Sequence, residues 1–344
     1  PKMDLHILPE LRGIWKPPHC WETLQLDNND NRHGCLNLAL EAQLRSFNSV
    51  DTITMIGCEK VEEAFQLIDY DDQIYKKQFS NLRVISFTDL TALRCIWKGP
   101  HQNLHLHELE CIELDDCQKL TSIFTATSAR SLHKLRSIKM SKCGALEAII
   151  ALDKDEFSTT VDSSPTIASI SELEKIEISS CGELKSILPV SVVVAQGLPK
   201  LRHFSIIDCA KLEHVFGGGE GTLTATDSSP TVVSIPELEK IKISSYGELK
   251  SILPVLVVVA QGLPKLRHFS IIDCAKLEHI FGGGEGTLTA GDSSPTVASI
   301  SELEKIEISS CGELKSILPV SVVVAQGLPK LRHFSIIDCA KLEH

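Results

Sequence analysis

The sequence predicts an α/β solenoid of about twelve coils, and two observations predict it. The first is a period of 65 residues: segment 163–227 recurs at 228–292 and again, incompletely, from residue 293. The second is a shorter motif that occurs twice in each block and continues upstream, so that coils follow one another about every 30 residues. Such periods indicate supersecondary units that stack, because one unit alone cannot bury its apolar face.

The motif places aliphatic residues in a fixed frame. One copy reads Leu173-x-x-Ile176-x-Ile178-x-x-Cys181-x-x-Leu184, which is the leucine-rich-repeat signature with its last leucine one place late. Alternate side chains of a strand point to opposite faces, so Ile176 and Ile178 are predicted to point into the coil. The signature predicts a horseshoe with a parallel sheet on the concave face and an irregular or short helical convex side. Its ninth position is occupied in successive coils by Leu8, Asn29, Cys58, Leu90, Cys117, Cys143, Cys181, Cys209, Tyr246, Cys274, Cys311 and Cys339.

Two regions of one continuous solenoid differ in regularity. Residues 1–162 contain diverged repeats, and residues 163–344 contain the nearly identical 65-residue blocks. Because the array begins and ends within a repeat, we expect a fragment of a longer protein. Inside a block, Val190–Gln196 is predicted to form a helical or irregular turn. Gly217–Pro230 is rich in Gly, Ser and Thr, which predicts a surface loop.

The repeat explains the cysteines. Eight of the twelve occupy the ninth position, where a small, burial-tolerant, weakly donating side chain can meet the backbone as the chain leaves the strand. No Cys-x-x-Cys pair occurs. We therefore expect reduced structural thiols and a reducing, cytoplasmic compartment, with disulfides or a metal site as the alternative. Tyr246 is the exception, because its phenol must either displace this row or swing out to find a hydrogen-bond partner.

Composition and motifs argue against several classes of function. The formal net charge of −11 opposes binding to nucleic acid, and no apolar run reaches the roughly 18–20 residues that span a membrane. Gly217–Gly221 lacks the lysine of a phosphate loop, and His101, His105 and His107 lack a second ligand group fixed elsewhere. No catalytic motif occurs, so we expect no enzymatic activity, cofactor, metal or small-molecule substrate.

The side chains between the inward residues of each strand are predicted to form an outward surface. Two interpretations remain open: a concave face that binds a protein partner, or an ordinary solvated sheet face. At Lys242 the middle block reverses the charge of Glu177, which would change the affinity of a complementary partner. The predicted partner-binding residues are Lys139, Lys175, Glu177, His203, Ser205, Lys240, Lys242, His268, Ser270, Lys305, Glu307 and His333.

Several phrases carry a family resemblance: Leu93–His101 (LRCIWKGPH), its echo Leu11–His19 (LRGIWKPPH), Leu109–Phe124 and Leu184–Leu201. They resemble the leucine-rich-repeat region of plant coiled-coil-class nucleotide-binding (NBS-LRR) disease resistance proteins, along essentially the whole chain. The resemblance implies a protein-interaction module that recognises a pathogen effector or a guarded host protein. It also implies that the module restrains a neighbouring nucleotide-binding domain, whose phosphate loop does not occur in these 344 residues.

Three alternatives remain. The first is a generic leucine-rich-repeat scaffold, or a truncated receptor relative without signalling activity. A secreted or cell-surface receptor ectodomain would require oxidised cysteines, which the cysteine row argues against. An enzyme would require a catalytic constellation that the sequence does not provide.

Overall fold

The computed structural model describes residues 2–6, 50–67, 79–151, 170–188, 197–215, 231–233, 235–245, 247–253, 257–259, 263–281, 300–315, 317 and 328–342. Four features predicted from the sequence lie outside these residues: the Trp21–Asn29 coil, the Val190–Gln196 turn, the Gly217–Pro230 loop and Tyr246.

The described residues form nineteen β-strands, and eleven of them make one parallel sheet. In chain order the strands are β1 (Lys2–His6), β2 (Thr52–Ile56), β3 (Glu63–Gln66), β4 (Val84–Thr88), β5 (Cys95–Lys98), β6 (Cys111–Asp115), β7 (Ser122–Thr125), β8 (Ser137–Ser141), β9 (Ala148–Ala151), β10 (Lys175–Ser179), β11 (His203–Ile207), β12 (Thr231–Val233), β13 (Lys240–Ser244), β14 (Ser251–Leu253), β15 (Val257–Val259), β16 (His268–Ile272), β17 (His279–Phe281), β18 (Lys305–Ser309) and β19 (His333–Ile337). The main sheet has the order β1-β2-β4-β6-β8-β10-β11-β13-β16-β18-β19. Because this order follows the chain, the polypeptide winds as a β-solenoid.

The predicted number of about twelve coils is wrong, since the main sheet contains eleven strands. β1 pairs directly with β2, with Lys2 opposite Thr52, and the predicted coil at Trp21–Asn29 lies outside the described residues. In the sequence, this segment has Arg32 and Cys35 at the positions where other coils have leucine and isoleucine.

Burial alternates along the main-sheet strands and confirms the predicted inward positions. Ile176 and Ile178 on β10 are 0% and 1% exposed, and Phe204 and Ile206 on β11 are 3% and 0% exposed. Phe334 on the edge strand β19 is the sequence equivalent of Phe204, yet it is 59% exposed. A following coil, rather than the coil itself, therefore buries each apolar row.

Outside the main sheet, the described residues of the coils form short strands and few helices, which corrects the α/β class to a β-solenoid. These strands form the parallel pairs β3–β5, β7–β9, β12–β15 and β14–β17. The helices among the described residues are α1 (Ala126–Ala129) and a 3-10 turn, His101–Asn103. Val257–Val259 copies part of Val190–Gln196 and is a strand, because β-branched valines favour extended backbone.

A left-handed residue follows nearly every main-sheet strand. Ser180 has φ 53° and Asp208 has φ 53°, and the Ser180 amide donates to the Ile207 carbonyl at 2.9 Å. This bond extends the ladder between neighbouring strands one residue past the strand end. Among the described residues that follow a main-sheet strand, Ser245 after β13 is the exception, because it does not have a positive φ.

The ninth-position thiols lie in a row beneath these turns. The Cys181 thiol donates to the Ser179 carbonyl at 3.4 Å, and the ten described cysteines are free. The pKa of Cys181 is raised to about 12. Contact with Cys143 lowers this pKa, but contact with Cys209 and burial together raise it by more. The Cys181 thiol therefore stays protonated and unreactive at neutral pH, whereas contact with Cys181 lowers the pKa of the neighbouring Cys209 thiol.

The thiol row is interrupted in the middle block. Ser245 is 0% exposed, and its hydroxyl donates to the Cys209 carbonyl at 3.1 Å. A serine hydroxyl therefore enters the core of this coil one residue before the position that the repeat frame assigns.

Candidate protein-interaction surface

All twelve predicted partner-binding residues lie on one surface, the outer face of the main sheet, which is defined here as the side that points away from the core. Alternation along each strand places them there, with the buried residues between them. Their role in binding stays a prediction. They are Lys139 on β8, Lys175 and Glu177 on β10, His203 and Ser205 on β11, Lys240 and Lys242 on β13, His268 and Ser270 on β16, Lys305 and Glu307 on β18, and His333 on β19.

Strand register aligns these side chains into three rows across β10, β11, β13, β16, β18 and β19. The basic row consists of Lys175, His203, Lys240, His268, Lys305 and His333. The middle row consists of Glu177, Ser205, Lys242, Ser270, Glu307 and Ser335. The isoleucine row consists of Ser179, Ile207, Ser244, Ile272, Ser309 and Ile337.

The rows repeat every second strand, because each 65-residue block contributes two. At about 4.8 Å per strand, equivalent side chains recur about every 10 Å. His203, His268 and His333 are therefore too far apart to share a metal ion, whose ligands lie about 2 Å from it. Within the described ranges no group of three His, Cys, Asp or Glu side chains is placed to hold a metal.

Ion pairs neutralise part of the basic row. Lys175 lies 3.0 Å from Glu177, two residues further along the same strand, and Lys305 repeats this contact with Glu307 at 3.0 Å. The Lys305 ammonium hydrogen bond holds the pKa of the Glu307 carboxyl below its usual range. Each of these strands therefore presents an internally compensated pair.

β13, which lies between β10 and β18 in the main sheet, does not have such an ion pair among the described residues. Lys240 and Lys242 on β13 have no carboxylate within 4.0 Å among the described residues. The nearest acidic contact on this part of the face joins His203 to Glu239 at 4.0 Å. β13 therefore carries two cations without a carboxylate partner among the described residues.

The outer face becomes more acidic toward the diverged repeats. Lys139 on β8 lies in register between Glu113 on β6 and Glu177 on β10. Asp115 follows on β6, and the Ser141 hydroxyl donates to it. The basic row is thus confined to the strands of the 65-residue blocks, since its register positions on β8 and β6 are Ser137 and Cys111.

Sequence reasoning missed a second set of charges, which joins successive coils beside the sheet. Lys200 pairs with Glu172 at 2.6 Å, and the same contact recurs between Lys265 and Glu237. The signal was present as a constant Glu-to-Lys spacing of 28 residues in each block. Interpreting it required the coil length, which places the two residues on neighbouring turns.

The predicted histidine cluster is a stack of rings. His105 and His107 have ring centroids 5.6 Å apart, and His107 and His133 have centroids 5.5 Å apart with planes inclined by 6°. His133 was missed because it belongs to the next coil, 26 residues beyond His107. His107 and His133 are exposed, in agreement with solvated surface histidines.

The parallel sheet, the strand-end turns and the thiol row define a leucine-rich-repeat solenoid. The family model described as plant disease resistance protein RPS2-like, leucine-rich repeats, matches residues 19–144. Residues 19–144 are therefore similar to leucine-rich repeats of this type, which confirms over that segment the resemblance drawn from the sequence.

The solved structures that match include the leucine-rich repeat domain of the type III effector XopL. It is 13% identical in sequence, with 93% of this chain and 80% of that chain covered at a TM-score of 0.36. The fold assignment rests instead on the order of the strands in the main sheet. A search of curated proteins gave no match. No helix among the described residues is long and apolar enough to cross a membrane.

Proposed function

We propose that this chain is a protein–protein interaction module of a plant intracellular immune receptor. In this proposal it recognises a pathogen effector or a guarded host protein, and it restrains a neighbouring nucleotide-binding domain. The observation that carries the proposal is the match of residues 19–144 to leucine-rich repeats of plant disease resistance proteins.

The outer face supplies a surface suited to such a role. Its polar side chains stand on strands whose alternate residues are locked in the core, so the side chains are displayed on a rigid sheet. Rigid display lowers the entropic cost of binding. The three rows extend over six strands, about 24 Å at about 4.8 Å per step, which is broad enough for a protein partner.

We also propose a non-enzymatic role in the cytoplasm. The free thiols of the ninth-position row support a reducing compartment. The mixed charges of the outer face support recognition of a partner surface by electrostatic complementarity rather than catalysis.

Proximity labelling in plant cells tests this proposal. The chain would carry a labelling enzyme, and two variants with matched charge changes would be compared. The face variant combines Lys139→Glu with Lys242→Glu. The control variant combines Lys119→Glu with Lys60→Glu, because both lysines are exposed in turns next to the strands.

The expected result is a set of cytoplasmic proteins that the wild type and the control variant label and the face variant does not. Identical labelling by all three proteins would show that the partner does not bind the outer face. Labelling confined to the secretory pathway would contradict the cytoplasmic proposal. No specific labelling would favour the alternative of a leucine-rich-repeat scaffold without receptor function.

A further inference from the structure

The middle block differs from its neighbours on the outer face by one charge reversal. β10 and β18 have the sequence Lys-Ile-Glu-Ile-Ser, whereas β13 has Lys-Ile-Lys-Ile-Ser. The exchange has two consequences. It adds the Lys242 ammonium group, and it removes the carboxylate that pairs with the equivalent of Lys240 on the other two strands.

The surroundings of this lysine pair are set by strand register. On both sides of Lys242 lie serines, Ser205 on β11 and Ser270 on β16. Two residues further along, Ser244 lies between Ile207 and Ile272, which are partly exposed. Along the line of β13, two cations are thus followed by a shallow aliphatic site. The hydroxyls beside the second cation belong to the neighbouring strands β11 and β16.

We propose that this part of the outer face binds an extended acidic segment of a partner protein, with two carboxylates over Lys240 and Lys242 and an aliphatic side chain between Ile207 and Ile272. The inference rests on the proposed function in that it assigns a partner chemistry to the same face.

The spacing supports an extended segment. Alternate residues of a strand are separated by about 6.6 Å, twice the rise per residue, and this holds equally for β13 and for an extended peptide lying above it. A Glu-x-Glu-x-Leu pattern therefore matches Lys240, Lys242 and the aliphatic site in register. The Ser205 hydroxyl can donate to the central carboxylate, whereas the Ser270 hydroxyl donates to the Glu307 carboxylate at 3.3 Å.

The same geometry disfavours a long polyanion such as nucleic acid. Glu177 and Glu307 lie in the middle row two strands away on either side of Lys242, at about 10 Å. A continuous phosphate backbone crossing the strands would meet both carboxylates, and the net charge of −11 would repel it further. A short acidic segment with uncharged flanks avoids these two carboxylates and carries too little charge to be strongly repelled by the whole chain.

The experiment measures fluorescence anisotropy of a labelled peptide with the core Glu-Ser-Glu-Ser-Leu. A matched peptide carries glutamine in place of both glutamates, and a labelled DNA duplex serves as a polyanion. The full chain is compared with Lys242→Glu, which converts β13 into the sequence that already folds at β10 and β18. Lys119→Glu makes the same charge change in a turn away from the outer face.

We expect the wild type and Lys119→Glu to bind the acidic peptide equally, and Lys242→Glu to bind it at least about tenfold more weakly, because an exposed attraction becomes a repulsion. The reverse exchange provides a gain-of-function arm. Glu307→Lys converts β18 into the β13 sequence between Ile272 and Ile337, so the stoichiometry should rise from one peptide per chain to two.

Equal peptide binding by the wild type and Lys242→Glu would overturn the proposal. So would equal binding of the glutamine peptide, a stoichiometry that stays at one in Glu307→Lys, or DNA binding as tight as peptide binding. Loss of cellular labelling by the outer-face variant, without peptide binding by the wild type, would refute this inference and leave the proposed function standing.

Discussion

A single methyl group placed on Gly247 would collide with the backbone of the preceding coil. A Cβ atom there would lie 2.1 Å from the Ala210 carbonyl oxygen and 2.6 Å from its carbonyl carbon. At Gly182 and Gly312, which hold the same position in the other two blocks, nothing lies within 4 Å. The chain therefore contains two matched controls for Gly247→Ala.

The cause of this close approach lies two residues earlier. Ser180 and Ser310 turn through positive φ and stay exposed, whereas Ser245 does not and is buried with its hydroxyl on the Cys209 carbonyl. The backbone of the middle block therefore runs closer to the preceding coil. This path brings Gly247 against Ala210.

The size of the effect follows from the contacts. Forcing an extra carbon into close packing costs about 1–3 kcal/mol. The Glu248 amide donates to the same Ala210 carbonyl at 3.0 Å, and losing that bond adds about 1 kcal/mol. We therefore expect Gly247→Ala to destabilise the protein by about 2–4 kcal/mol. Gly182→Ala and Gly312→Ala should be neutral or stabilising by up to about 1 kcal/mol.

Urea unfolding followed by circular dichroism measures the difference, with hydrogen exchange at the Glu248 amide as the local measurement. The local measurement matters because a long solenoid can unfold in stages. Ala210→Gly should not rescue Gly247→Ala, since the colliding atoms are backbone atoms that glycine retains. Equal unfolding midpoints and equal Glu248 protection in Gly247→Ala and Gly182→Ala would refute the reasoning.

Three further outcomes are expected. Ile178→Asp should unfold the neighbouring coils, because it buries an unpaired charge at a position 1% exposed; an unchanged thermal melting curve would contradict this. Ser245→Ala should cost about 1 kcal/mol by removing the hydrogen bond to the Cys209 carbonyl, and a urea midpoint equal to that of the wild type would show that this bond contributes nothing. The pKa values of Cys143 and Cys181 are raised to about 12, so the unfolded chain releases their protons from about pH 8.5 upward while the folded chain keeps them. Their contribution to stability should thus be complete below about pH 8.5 and lost as the pH rises towards 12; urea midpoints that stay constant over this range would be incompatible with those pKa values.

Strand positions could be predicted from the sequence because the motif encodes them locally. A strand with Ile176 and Ile178 inward needs only alternation and neighbours of the same kind, and a stacked repeat guarantees such neighbours. The number of coils was harder to predict than the strand positions. The described part of the main sheet has eleven strands, and the motif at Trp21–Asn29 is followed by Arg32 and Cys35 where other coils have leucine and isoleucine.

The opposite side of the coils was harder to predict because its apolar runs have no distinctive period. Val257–Val259 forms a strand by pairing with Thr231–Val233, a partner more than twenty residues away in the sequence. The ion pairs of the outer face were also hard to predict, because they depend on contacts that only the structure shows. The reversal at Lys242 is visible in the sequence, but the loss of a partner by Lys240 follows from the contact between Lys175 and Glu177 on an equivalent strand.

The altered backbone path of the middle block leads to a test of cooperation between two positions. Tyr246→Cys restores the sequence Ser-Cys-Gly-Glu-Leu found at 180–184 and 310–314. If the residue at 246 dictates the path, Ser245 should return to the exposed turn and the space beside Gly247 should open. Gly247→Ala should then cost almost nothing in the Tyr246→Cys background. A double-mutant cycle should show a coupling of about 2–3 kcal/mol, measured by urea unfolding. Additive effects would place the cause elsewhere in the block, where the other differences from the first block include Val233, Pro236, Lys242 and Leu256.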